Sequence, residues 1–228
     1  MFIPLYDGVS MKYMRRPVVN YLLIGLNCIV FAAEQLGWLG DTDRIDTALG
    51  FIPAVLFGTA GLADGLVWVP PQATLITGMF LHGSLMHLAG NMLFLWVFGD
   101  NVEDAMGSLR YLAFYLACGI AGALAFGWML PQSQGPLIGA SAAISGVVAA
   151  YLILYPRVHV FGLVFDVIPL SIPALYCVGA WVLLQIWSAV AGGDSETGWW
   201  AHVGGLAAGA LLVMVLKRRE VALFSGQE

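Results

Sequence analysis

The residues of this chain best suited to chemistry are a serine and several histidines set in apolar surroundings. Ser141 lies in Gly139-Ala140-Ser141-Ala142-Ala143-Ile144-Ser145-Gly146, a few residues after Pro136. Serine is a weak nucleophile at its own pKa and needs a base within hydrogen-bond reach, roughly 2.6 to 3.2 Å. His202 is the candidate base, and the chemistry this pair suits is amide hydrolysis. That reaction also needs donors aimed at a tetrahedral oxyanion. His87 and Asn91 are four positions apart, so on a helix of about 3.6 residues per turn they project from nearly one face. With the free backbone N–H groups at the start of the helix carrying Ser141, they form a candidate oxyanion hole. His82 stands about 140° around a helix from His87. It is an accessory candidate, either at the site or as a hydrogen-bonding residue that shapes the loop.

Other chemistries fit less well. The sequence has no His-Glu-x-x-His pair and no acidic residue placed to complete a zinc site with these histidines, so neither a metal nor another cofactor is expected. Asp194 and Glu196 precede His202 in a short polar loop, where a solvated carboxylate makes a poor third member. A serine-histidine dyad is the simpler expectation. A small transporter would call for internal repeats or charges at mid-membrane, and neither stands out. Polar side chains at membrane depth also serve plainly as interhelical hydrogen bonds, worth roughly 1 kcal/mol each.

The elements that must position these residues are apolar helices. The chain is 60% hydrophobic and 10% charged, against roughly a quarter charged in soluble domains, which marks a membrane protein. Its 228 residues have room for one membrane domain, read here as 1–228. Spans are expected near 17–37, 83–99, 110–130, 138–155, 168–190 and 200–217, with Pro131 to Pro136 as a hairpin turn. Thr47–Thr77 is apolar but interrupted by Pro53, Pro70, Pro71 and several glycines, which suits an interfacial or partly inserted loop. Six spans with both termini cytoplasmic place Lys12, Arg15, Arg16, Arg110, Arg157, Lys217, Arg218 and Arg219 inside, leaving Arg44 alone outside among nine basic residues. A seventh span would put the terminal basic cluster on the wrong face. The apolar run after Arg16 is too long for a signal-peptide core and reads as an uncleaved first span. In this topology His87, Asn91, Ser141 and His202 all fall near the outer ends of even-numbered spans, at a shared depth.

Small residues on two helices, Ala142, Gly146 and Ala150 on one and Gly205 and Gly209 on the other, allow the close approach that brings serine to imidazole. Cys28, Cys118 and Cys177 read as inert buried thiols. Asn20, Asn27 and Glu34 read as interhelical contacts, and Trp199 and Trp200 as interfacial aromatics. The net charge of −5 gives no indication of nucleic acid.

On these residues the chain resembles the rhomboid family of intramembrane serine proteases over nearly its whole length. The segment Phe80 to Met92, with His82, His87 and Asn91, is similar to the family's segment with two histidines and an oxyanion asparagine. Glu103-x-x-x-Gly107 is similar to a structural motif of the family, and His202-x-x-Gly205-x-x-x-Gly209 to its base-bearing helix. The resemblance selects Ser141 over Ser145, one turn further on the same face. It implies an all-α, six-helix bundle, a Ser141–His202 dyad, an oxyanion site of His87, Asn91 and the Ser141 backbone, and cleavage of single-span membrane proteins without a cofactor. Two departures stand out. The family's Gly-x-Ser-Gly is here Gly139-Ala140-Ser141-Ala142, and its Trp-Arg loop pair falls on Ala73-Thr74. A catalytically inactive rhomboid-like protein that binds membrane clients is the alternative, motivated by Ala142. The expected location is a multi-pass bacterial inner membrane; oligomeric state and natural substrate are left open.

Overall fold

The computed structural model describes residues 2–165, 167–192 and 198–225. The chain is mostly helical, and its helices follow the apolar stretches: α1 (Val18–Gln35), α2 (Thr42–Leu49), α3 (Leu85–Met106), α4 (Ser108–Met129), α5 (Ser141–Leu154), α6 (Ala174–Val190) and α7 (Trp199–Leu216). By length and composition α1, α4 and α7 are each able to cross a bilayer, while α5 and α6 are shorter apolar helices. Leu22, Ile29, Trp128, Leu183, Trp187, Leu211 and Val215 stand exposed around the bundle. So large an apolar surface is untenable in water and natural against lipid tails.

α5 is the central helix. From Ala142 to Tyr151 every residue is buried, so it turns almost no surface outward. It packs against α4 and α7 through small residues. A Cβ on Gly205 would strike the Ala142 carbonyl oxygen, and one on Gly209 would strike that of Gly146. A Cβ on Gly204 would lie 3.0 Å from the Ala121 carbonyl oxygen of α4. The backbone of α7 thus lies directly against both neighbours, closer than any side chain permits.

α3 is continuous but contains a π-helical segment, Leu95–Gly99. The wider turn leaves a carbonyl free, and Asn20 of α1 fills it: Asn20 Nδ2 donates to Leu95 O at 2.9 Å, while Tyr111 OH donates to Asn20 Oδ1 at 2.8 Å. The absence of a side chain on Gly99 makes room for this amide. At the end of α3, the fully buried Glu103 accepts from Val19 N, Asn20 N and Ser108 Oγ. Pro17 supplies no side-chain cap to α1, so Glu103 caps that helix from across the bundle. Gly107 has φ +87°, a conformation that favours glycine, and turns the chain into α4. Asp104 accepts from the consecutive N–H groups of Lys12, Tyr13 and Met14, and Arg218 Nε donates to its carbonyl. Glu103 and Asp104 thus anchor the two terminal segments.

The expected helical bundle is joined by a small antiparallel sheet. Its strands are β1 (Phe2–Tyr6), β2 (His159–Val164) and β3 (Ile168–Pro173), with β2 in the middle. The span expected from 168 begins instead at Ala174. Pro169 and Pro173 lack the N–H a helix interior requires, and Ile168 and Ile172 favour extended backbone. β3 is an edge strand, where proline is tolerated. Gly162 admits β1, since a Cβ there would meet Ile3 O and the Phe2 ring. The helix expected over 83–99 also runs on past 99 to Met106. Cys28 is exposed on α1 rather than buried, whereas Cys118 is buried.

Candidate active site

Ser141 is the first residue of α5, and His202 lies in the first turn of α7. Close packing at Gly205 and Gly209 sets the two helix starts side by side, and His202 Nε2 stands 2.8 Å from Ser141 Oγ. That is hydrogen-bond contact between a hydroxyl and an acceptor able to take its proton. Ser145, the other serine of the motif, is fully buried and donates its hydroxyl back to the Ser141 carbonyl at 2.7 Å. This back-bond within the helix occupies the group. The structure therefore separates two serines whose helical spacing put them on one face.

Donors gather opposite the pair. Ser84 caps α3 by accepting from His87 N at 3.1 Å, which fixes the turn that carries His87. Gly139 has φ +116°, and a Cβ there would lie 2.7 Å from both His87 Cε1 and Nε2 and 3.8 Å from Asn91 Nδ2. The missing side chain of Gly139 thus leaves room for the His87 ring beside the loop that leads into Ser141, with Asn91 next to it. That loop is held by Phe51 and Leu137, which exchange backbone bonds of 3.0 and 2.8 Å, and by Gly139 N donating to Gly78 O at 2.9 Å. The first intrahelical bond of α5 runs from Ile144 N to Ala140 O, leaving the N–H groups of its first turn free of helical partners. His82 is 1% exposed and its Nε2 stands 3.0 Å from Asn91 Nδ2, while its ring meets that of His87 edge-on with centroids 5.0 Å apart. His82 thus holds Asn91 and His87 from behind.

Ala142, the departure from Gly-x-Ser-Gly, points away from this cluster. It is buried with Ala123, Phe126 and Ala201, and a Cβ placed on Gly122 of α4 would lie 2.7 Å from the Ala142 methyl. Gly122 leaves the space that the methyl takes.

His87, Asn91, Ser141 and His202 line one cavity of about 840 Å³, walled by apolar residues such as Phe94, Phe126 and Trp181. Ser133 and Gln185 also line it, polar residues that the sequence did not mark for the site, and Gln185 touches the base. Gln185 of α6 is 5% exposed, and its Oε1 lies 2.7 Å from His202 Nδ1. The available signal was a glutamine alone in a charge-free apolar run, a kind of residue that is expensive at membrane depth. Trp199, expected at the interface, packs edge-on against His202 at 5.9 Å between centroids. Asp194 and Glu196 lie outside the described residues. Among the described residues no three His, Cys, Asp or Glu side chains stand together as a metal site would need.

The Rhomboid domain family matches residues 70–219, a stretch that holds every one of these side chains. The chain belongs to the rhomboid family. It is 34% identical over 137 residues to Rhomboid protease GluP of Bacillus subtilis, covering 60% of this chain and 24% of that protein. It is 32% identical over 154 residues to Rhomboid protein 1, mitochondrial, of Saccharomyces cerevisiae, covering 63% of this chain and 42% of that one. It is also 33% identical over 85 residues, 37% of this chain and 6% of the other, to Inactive rhomboid protein 1 of Drosophila melanogaster. The chain thus matches less than half the length of each of these relatives, and these include one named a protease and one named inactive. As a rhomboid with these apolar helices, it is an integral, multi-pass membrane protein.

Proposed function

We propose that this rhomboid is an intramembrane serine endopeptidase that cleaves single-span membrane proteins near the outer face of the bilayer. The observation that carries this reading is the 2.8 Å contact between His202 Nε2 and Ser141 Oγ at the wall of a cavity. His202 takes the Ser141 proton as the oxygen attacks the scissile carbonyl. Asn91, His87 and the Ser141 N–H receive the oxyanion. His202 then protonates the leaving amine, and water releases the acyl-enzyme.

In this reading α1, α3, α4, α5, α6 and α7 are six crossings of a single membrane domain with both termini inside, supported by eight of nine basic residues falling on that side. α5, with 14 residues, is only about 21 Å long, against a hydrocarbon core of about 30 Å. A short central helix leaves room above Ser141 for water, the second substrate. The host is a bacterial inner membrane, in keeping with the Bacillus relative; the yeast relative is named mitochondrial, and an organellar membrane is the other outcome.

The competing reading is a silent rhomboid that binds membrane clients, favoured by the relative named inactive. Its motivation in this sequence, the Ala142 methyl, loses force because that methyl packs on Gly122. Reconstitution in liposomes with a panel of single-span substrates separates the two. Cleavage by the unaltered protein, lost in Ser141→Ala and kept in Ser145→Ala, supports the protease. Binding without cleavage across the panel supports the silent protein.

A further inference from the structure

His202 is held at both ring nitrogens: Nε2 faces Ser141 Oγ at 2.8 Å, and Nδ1 faces Gln185 Oε1 at 2.7 Å. A neutral imidazole carries one N–H, and the partner of one nitrogen decides the role of the other. An amide oxygen only accepts, so a bond from Gln185 Oε1 requires the hydrogen on Nδ1. That leaves the Nε2 lone pair for the serine proton. We infer that Gln185 is a positioning residue of this site, fixing His202 in the tautomer and orientation that make it a base toward Ser141. The inference rests on the protease reading for its consequence, but its geometry stands independently.

Three features support the assignment. Gln185 sits in the buried stripe of α6 with Val178 and Ala189, where an unpartnered amide oxygen costs free energy, and its oxygen is satisfied by the imidazole. The three side chains come from three helices, α5, α6 and α7, so the contact fixes the ring relative to the whole bundle. A neutral amide also orients the ring without the cost of a carboxylate buried beside it in a medium of low dielectric. The bond defines the position of α6 as well: a displacement of that helix by about 1 Å, the scale at which misplacement costs about 10²-fold in rate, would release the ring.

The test has a structural and a kinetic arm. In liposomes, ¹⁵N spectra of histidine-labelled protein, with the His202 signals assigned by their loss in His202→Asn, report which ring nitrogen carries the hydrogen. The expected result at mildly alkaline pH is hydrogen on Nδ1, changing to a mixture of tautomers in Gln185→Leu. Hydrogen on Nε2 in the unaltered protein, or a tautomer indifferent to Gln185→Leu, would overturn the inference. The kinetic arm measures the rate at which a fluorophosphonate labels Ser141 against pH. Gln185→Leu is expected to slow labelling by about 10²-fold. Gln185→Glu is expected to recover much of that loss while moving the acid limb of the profile to higher pH, because a carboxylate stabilises the imidazolium. His87 faces the same cavity in every variant, so its own titration does not differ between them. Recovery with an unmoved acid limb would indicate a merely structural glutamine. If the unaltered protein neither labels nor cleaves, the protease reading fails, and the ¹⁵N spectra still decide the tautomer.

Discussion

At the scale of single residues, Ser141 and Ser145 make the sharpest contrast. The Ser145 hydroxyl bonds the Ser141 carbonyl, so Ser145→Ala should retain cleavage and lose about 1 kcal/mol of stability, read from denaturant midpoints in detergent. In the proposed mechanism Asn91→Ala removes an oxyanion donor and should lower kcat by about 10² to 10³ with little change in KM, measured by steady-state cleavage in liposomes. His82→Ala acts through Asn91 and His87 and should lower kcat by less than Asn91→Ala. The sequence made Ser141 and His202 legible by type, and the family motif ranked the two serines. Helical spacing alone could not separate them, since residues four apart share a face whatever their hydroxyls bond to. Gln185 was less visible still, because its meaning depends on α6 packing beside α7, a contact between segments that share no motif.

At the scale of elements, glycine sets the distance between helices. A methyl on Gly209 would strike the Gly146 carbonyl, so Gly209→Ala should cost about 1 to 3 kcal/mol by overpacking and reduce cleavage, as α7 carries His202 away from Ser141. Melting temperature and turnover should fall together. Glu103→Gln keeps the shape but weakens the cap on α1; a loss of about 1 to 2 kcal/mol, with turnover of the folded fraction unchanged, is the expected outcome in the same unfolding assay. The helices were legible because charge-free runs leave few alternatives. β3 was not, because Ile168, Leu170 and Ile172 belong to the apolar run that leads into α6, and hydropathy is blind to period; β2 fell between the expected spans. The prolines at 169 and 173 were the available correction. The π-helical segment has no local signature, and its support, Asn20, lies 75 residues away from Leu95.

At the scale of the whole molecule, an apolar belt surrounds a cavity that holds the polar cluster, and the terminal segments are tied at one end by Asp104. The proposed orientation, with both termini inside, predicts that a membrane-impermeant maleimide applied to intact cells labels Asp64→Cys and spares Ser10→Cys until the membrane is opened. Both positions are exposed. Labelling of Ser10→Cys in sealed cells would invert the orientation. The charge sorting behind this expectation was legible from the start, whereas the cavity was not, since it depends on α5 being short and wholly enclosed. The central claim is that His202 activates Ser141, and the most direct test is to map the fluorophosphonate adduct by peptide mass spectrometry on protein in liposomes. The adduct should sit on Ser141 and be lost in His202→Ala. An adduct on Ser145, or labelling of Ser141 that is indifferent to His202→Ala, would contradict the account.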